Sequence, residues 1–179
     1  MNRFKNHLIA AAVLSALAVI GTMMNSQQAS AQDDEPETFR ANLSGYNEVV
    51  PISTDGTGTF EATVNGTTMT YTETFSNLTS PVTQSHIHFA QPGVIGGVVV
   101  FLCTNLGNGP AGTPACPAGG GTVTRTITGA SVLPVSNQHI SAGDFAALVN
   151  LIRAGDGYVN VATTNFPAGE IRGQIKTDD

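Results

Sequence analysis

The segments Tyr158-Val159-Asn160-Val161 and Gly169-Glu170-Ile171-Arg172-Gly173-Gln174 decide the fold of this chain. Between them, Asn165-Phe166-Pro167-Ala168-Gly169 has the composition of a turn. Such segments, rich in β-branched and aromatic residues and bounded by Gly and Pro, are typical of strands. The sequence therefore predicts a final pair of strands at residues 157–164 and 170–176.

Short strands are predicted through most of the remaining chain as well. Residues 58–64 and 68–75 alternate in polarity and are separated by Asn65-Gly66, a strong hairpin signal. In the second strand one face is mostly apolar, and threonines form the other, which favours a half-buried antiparallel strand. The mostly apolar face consists of Met69, Tyr71, Glu73 and Phe75. Residues 97–102 form a continuous apolar run, which indicates a central buried strand.

One segment has helical periodicity. Apolar side chains recur at helical spacing within residues 142–153, which predicts a short amphipathic helix there. Ser141 is the expected N-cap, Asp144 fits the acceptor of a capping box, and Gly155 follows as a C-terminal glycine. Taken together, the patterns predict an all-β chain with one short helix near its C-terminus.

The first 31 residues have the order of a secretory signal peptide. Basic Arg3 and Lys5 precede an apolar stretch at residues 8–20, and Ala29-Ser30-Ala31 has the composition of a cleavage site. We expect cleavage there, a flexible acidic tether at residues 32–38, and one domain at residues 39–176. A signal of this form favours a bacterial protein that is secreted or periplasmic. The apolar stretch is short for a membrane span, so no membrane insertion of the mature chain is expected.

Charge limits the partners of the mature chain. After residue 31 it carries five basic and 13 acidic side chains, a net charge of −8. An acidic chain of this kind repels nucleic acid and anionic membrane surfaces. Nucleic-acid binding is therefore not expected.

The two cysteines, Cys103 and Cys116, are expected to form a disulfide. An even number of cysteines in an exported chain favours a disulfide bond. The residues between them are rich in Gly, Asn and Pro and contain no further Cys or His. A metal site at this pair is therefore disfavoured.

His86 and His88 are the candidate metal ligands. Alternate residues of a strand face the same way, so both imidazoles project from one face, where they could bind copper or zinc. Two ligands do not complete a site, and His139 is a conceivable third. The alternative is a pair of histidines that serves only the scaffold.

Two oppositely charged residues, Glu170 and Arg172, also share a strand face. In such an apolar region this favours a hydrogen-bonded structural network over catalysis, and Glu48 is a candidate third member. The sequence contains no nucleophile elbow, no phosphate-binding glycine loop and no H-E-x-x-H helix. We therefore predict no catalytic residues.

These pieces together resemble the chordin-type (CHRD) domain, in the order in which that domain has them. The resemblance covers roughly residues 38–176. It rests on Phe39-Arg40-Ala41-Asn42-Leu43, the His86-Ile87-His88 strand, Asp144-Phe145 and the two segments quoted first. It implies an immunoglobulin-like or superoxide-dismutase-like antiparallel β-sandwich or barrel in an exported protein.

The same resemblance implies a copper-binding role for His86 and His88, because a His-x-His strand binds copper in copper-zinc superoxide dismutase. Where many CHRD sequences have histidine before Thr163, however, this chain has Ala162. Dismutase activity is therefore not expected.

Three functions are compatible with these observations. The first is an exported binding module without catalytic activity, whose partner is a protein or a cell-surface ligand. The second is a metal-binding protein that uses the His86-x-His88 strand with copper or zinc. The third is a structural domain of an envelope or matrix. Low charge and many Gly and Thr residues favour the first and third.

Overall fold

The computed structural model describes residues 35–178, so the predicted signal peptide lies outside the described residues. Strands dominate this part of the chain, and one α-helix precedes the last three of them. The strands are β1 Glu37–Ser44, β2 Thr57–Asn65, β3 Thr68–Ser76, β4 Val82–Phe89, β5 Gly97–Thr104, β6 Gly121–Ile127, β7 Gly157–Thr163, β8 Ile171–Gln174 and β9 Lys176–Thr177. The helix α1 spans Phe145–Arg153. No helix of residues 35–178 is long and apolar enough to cross a membrane.

The strands form one antiparallel sheet in the order β5-β4-β7-β8-β1-β2-β3-β6, and β9 pairs with β1. Hydrogen bonds between strands that are not neighbours show that its two halves face each other. The Tyr71 hydroxyl of β3 donates to the Leu102 carbonyl of β5, and Ser85 of β4 donates to Glu73 of β3. The core lies between the halves. The prediction of an antiparallel, barrel-like β fold with one short helix is confirmed.

The β2–β3 hairpin forms as its sequence predicts. Its pairing runs without a shift from Thr57 opposite Ser76 to Asn65 opposite Thr68, and Gly66 has a φ of 56° in the turn. Only glycine adopts this left-handed region at little cost. Threonine hydroxyls of β3 and β6 contact each other on the outer face of the sheet. These pairs are Thr70–Thr126, Thr72–Thr124 and Thr74–Thr122.

The predicted start of the helix is wrong. The helix begins at Phe145 instead of residue 142, and Asp144 is its N-cap, because Asp144 Oδ1 accepts a hydrogen bond of 2.9 Å from the Ala147 amide. Gly143, which has a φ of 84°, donates its amide hydrogen to the Val132 carbonyl. This contact bends the chain just before the helix, so Ser141 cannot serve as its cap.

The predicted disulfide joins Cys103, at the end of β5, to Cys116, with 5.1 Å between their Cα atoms. Asn105 holds the loop between them in place. Its side-chain amide donates to the carbonyls of Val82 and Cys116, and its Oδ1 accepts from the Cys116 amide. The loop is therefore attached to β4 by hydrogen bonds as well as closed by the disulfide.

Candidate functional site

Strand register brings the chemically distinctive side chains together on the outer face of β4, β7 and β8. His86 lies opposite Asn160, which lies opposite Arg172, and His88 lies opposite Tyr158. Directly opposed residues of neighbouring strands point to the same face. Their neighbours Ser85 and Ile87 face the core and are fully buried. We call His86, His88, Tyr158, Asn160, Arg172 and Glu48 the outer cluster.

Tyr158 is the centre of a stack of planar groups. The Arg172 guanidinium lies 3.4 Å from the centroid of the Tyr158 ring. The His88 ring is nearly parallel to that ring, with 4.8 Å between centroids. Stacking of a cation on an aromatic face is favourable. It costs little conformational entropy when other contacts already hold the cationic side chain in place. The stack orients both Arg172 and His88.

Arg172 is 2% exposed, and its guanidinium holds the loop of residues 91–96. It donates to the Val94 carbonyl at 2.9 Å and to the Gln91 carbonyl at 3.3 Å. Burial lowers the pKa of Arg172, while interactions with Tyr158 and Glu48 oppose that shift. The buried cation thus has acceptors for its hydrogens, which a buried charge requires.

The end of the same loop is held at Gly96. The Gly96 amide donates to the Tyr158 hydroxyl at 3.2 Å, and its carbonyl lies 3.0 Å from His88 Nδ1. Since a carbonyl only accepts, this nitrogen must be the protonated one. A Cβ at Gly96 would lie 1.8 Å from the Phe89 carbonyl oxygen, so only glycine permits this approach. The loop is therefore fixed by β4, β7 and β8 together.

A second loop, residues 45–50, is held by the same cluster. The Asn160 side-chain amide donates to both carboxylate oxygens of Glu48, at 3.0 and 3.2 Å. The Asn47 side chain donates to the Arg172 carbonyl at 3.0 Å. Burial raises the pKa of Glu48 to about 7, although the charge of Arg172 and the bond from Asn160 oppose the shift. Glu48 therefore changes its charge near neutral pH.

Glu170 lies in a separate set of hydrogen bonds. Its carboxylate accepts from the hydroxyls of Thr54, Thr79 and Thr163 and from the Thr79 amide, all at 2.8 or 2.9 Å. Burial alone would raise the pKa of Glu170, but these bonds hold it below its ordinary value. Of the three residues placed in one predicted network, the structure brings Glu48 and Arg172 into the same cluster. Glu170 instead joins β7 to two loops.

His86 is buried against the Phe101 ring, with 4.2 Å between centroids, and its ring centroid lies 5.5 Å from that of His88. Its Nε2 atom is buried and has no hydrogen-bond partner among residues 35–178. Burial, with a further contribution from His88, lowers the pKa of His86 to about 3. Burial likewise lowers the pKa of His88. Both imidazoles are thus neutral at pH 7, which is the form that binds metals.

The described residues do not complete a metal site at this pair. Within residues 35–178, no three His, Cys, Asp or Glu side chains are placed to hold one ion. His139 is exposed at the end of the turn Ser136–Gln138, and position 162, on the strand beside His86 and His88, is an alanine. Two imidazoles beside the Arg172 cation are a poor fit for Cu²⁺ or Zn²⁺, which take three or four protein ligands.

Sequence reasoning missed two features. The sequence predicts neither Tyr158 nor Asn160 as a member of the site, although they alternate along one strand just as His86 and His88 do. Glu73 lies in the core, fully buried, with Ser85 as hydrogen-bond donor at 2.6 Å. In the sequence, the one indication of this buried carboxyl is that Glu73 lies on an otherwise apolar strand face.

Exposed apolar side chains are concentrated on the two loops that the outer cluster holds. Of the six large hydrophobic residues that are exposed within residues 35–178, five lie on these loops. They are Tyr46, Val49, Val50, Val94 and Ile95, and the sixth is Leu106. Single exposed apolar residues are ordinary, but a concentration of them marks an interaction surface.

Comparison with known proteins identifies a family for this chain. The family model described as the CHRD domain matches residues 39–175, which include the outer cluster and both loops. No curated protein and no solved structure matches the chain.

Proposed function

Because the chain belongs to the CHRD domain family, a binding and interaction type of domain, we propose that it is an exported binding module without catalytic activity. Its contact surface consists of residues 45–50 and 91–96. Its partner is a protein or a ligand on a cell surface. The signal-like first 31 residues, the extracellular type of the domain and the disulfide support export to a secreted or periplasmic location.

The observation that carries this proposal is the position of the exposed apolar side chains on loops held by buried polar contacts. Val50 and Ile95 are 80% and 74% exposed, yet their loops are hydrogen-bonded to Asn160 and Arg172 below. Apolar anchors dominate the binding energy of many interfaces. A loop that is already ordered loses less conformational entropy when it binds. Such an arrangement suits recognition better than it suits a purely structural domain.

The proposal is tested with the protein expressed from its complete sequence in its own host and recovered after export. Binding of the labelled protein to the surface of the producing cells is measured as a saturation curve. Val50→Ser combined with Ile95→Ser should weaken binding at least tenfold, which corresponds to about 1.4 kcal/mol.

Leu106→Ser is the matched control, because Leu106 is 57% exposed but lies in the disulfide loop. This variant should bind like the wild type. Equal binding by the double variant and the wild type would show that these loops are not the contact surface. Recovery of the protein only inside the cytoplasm would contradict export.

A further inference from the structure

An open groove runs from the loop of residues 91–96 to helix α1. Its first lobe, of about 290 Å³, is lined by Val94 and Ile95. Its second lobe, of about 350 Å³, is lined by Leu151 and Ala154 of the helix region. Both lobes share Phe89, Gln138 and Asp156 as lining residues, so they form one elongated depression. The outer cluster is not part of this groove.

Gln138, which lines both lobes, is held in place by two hydrogen bonds of its side chain. The Gln138 side-chain amide donates to the Phe89 carbonyl at 2.7 Å, and its Oε1 accepts from the Gly97 amide at 2.9 Å. Gln138 has thereby used its carbonyl and one amide hydrogen within the protein. The groove is consequently preformed, as ligand sites usually are.

Asp156 is the acidic residue that lines both lobes. Its backbone is fixed, because its amide donates to the Leu151 carbonyl and its carbonyl accepts from the Ala90 amide. Its carboxylate makes no hydrogen bond or ion pair with other residues of the range 35–178. A carboxylate on a fixed backbone, beside apolar wall residues such as Val94, Ile95 and Leu151, favours a ligand that is apolar at one point and cationic at another. The net charge of −8 after residue 31 attracts such a ligand.

We propose that this groove binds an extended polypeptide segment with one large apolar side chain and a lysine or arginine two residues away. Residues i and i+2 of an extended chain point the same way, about 6.6–6.8 Å apart. The apolar side chain fills the lobe at Val94 and Ile95. The stem of the basic residue lies over Leu151, and its charge meets Asp156. This inference deepens the proposed binding function and rests on it, since Ile95 belongs to both surfaces.

Three capped peptides test the proposal in NMR titrations of the isotope-labelled, exported protein. They are acetyl-Gly-Leu-Gly-Lys-Gly-amide, its Glu analogue in place of Lys, and its Gly analogue in place of Leu. The first should bind saturably and shift the amide signals of the groove residues. The Glu analogue should bind about two- to fivefold more weakly, which is the usual effect of one partly exposed ion pair. The analogue without leucine should also bind more weakly.

Matched variants test the charge of the groove and its shape in separate experiments. Asp156→Asn should remove the preference for Lys over Glu. Asp55→Asn should preserve it, because Asp55 is an exposed aspartate that also precedes a glycine but lines neither lobe. Ala154→Lys fills the second lobe and should weaken binding of the lysine peptide. Absence of saturable binding, equal affinity for the Lys and Glu peptides, or an unchanged preference in Asp156→Asn would overturn the groove proposal. The cell-binding test with Val50 and Ile95 decides the proposed function separately.

Discussion

Glu73 should make this protein less stable as the pH rises through neutrality. Its side chain is fully buried, one carboxylate oxygen accepts from Ser85 at 2.6 Å, and the other has no partner among the described residues. Burial raises the pKa of Glu73 to about 8, and the bond from Ser85 only partly opposes the shift. At pH 7 the folded state therefore holds a proton that the unfolded state has lost. Stability falls with pH wherever the folded state binds more protons.

The size of this effect follows from the two pKa values. Between pH 7 and pH 8 the Glu73 carboxyl should lower the free energy of unfolding by about 1 kcal/mol. Glu48, whose pKa is about 7, adds a few tenths of a kcal/mol at most after solvent screening. Burial lowers the pKa values of both His86 and His88, so both residues oppose this loss, and the contribution of His86 is about 0.1 kcal/mol. Glu73 therefore dominates this interval.

Urea unfolding at pH 7 and pH 8 measures the loss, and Glu73→Gln isolates its source. The variant keeps the shape of the side chain but cannot ionise, so its stability should change little between the two pH values. It is expected to be less stable than the wild type at pH 6, because its extra amide hydrogen is buried without an acceptor. A wild-type stability that stays constant from pH 7 to pH 8, or an equal loss in Glu73→Gln, would refute the reasoning.

Four shorter predictions concern the remaining features. Arg172→Ala should destabilise the protein by about 2–4 kcal/mol, because it removes a buried side chain that stacks on Tyr158 and donates to the Gln91 and Val94 carbonyls. Arg153→Ala, at an exposed ion pair with Glu37, should cost at most about 1 kcal/mol. Equal urea midpoints for the two variants would contradict this. Asp144→Ala should cost about 1 kcal/mol as the loss of a helix cap, and Ser141→Ala nearly nothing, as judged by thermal unfolding. Reduction of the disulfide should lower stability by about 3 kcal/mol while far-UV circular dichroism keeps its β signature, and an unchanged melting temperature would exclude a stabilising role. Calorimetry with Cu²⁺ and Zn²⁺ should detect no tight one-to-one binding that depends on the His-x-His pair, since residues 35–178 place no third ligand beside it.

Local sequence patterns predicted the elements because neighbouring residues determine them. Alternation with a period of two defines β3, and Asn65-Gly66 defines its hairpin, because only a few residues adopt that turn without strain. The helix was predicted correctly, but its beginning was not. The conformation of Gly143 depends on a hydrogen bond to Val132, which is distant from the helix along the chain.

Only part of the candidate site could be predicted from the sequence, because its residues come from strands and loops that are distant along the chain. The sequence alone determined an antiparallel β chain with one helix, a disulfide, and a strand that presents His86 and His88 on one face. Only the tertiary structure decided that β4 lies beside β7, and that Asn160 binds Glu48 across 112 positions of the chain. Which strands become neighbours when they are distant along the chain depends on packing of the whole core, and no local pattern encodes that choice. For that reason only the tertiary structure shows that the loops of residues 45–50 and 91–96 are both held by the outer cluster.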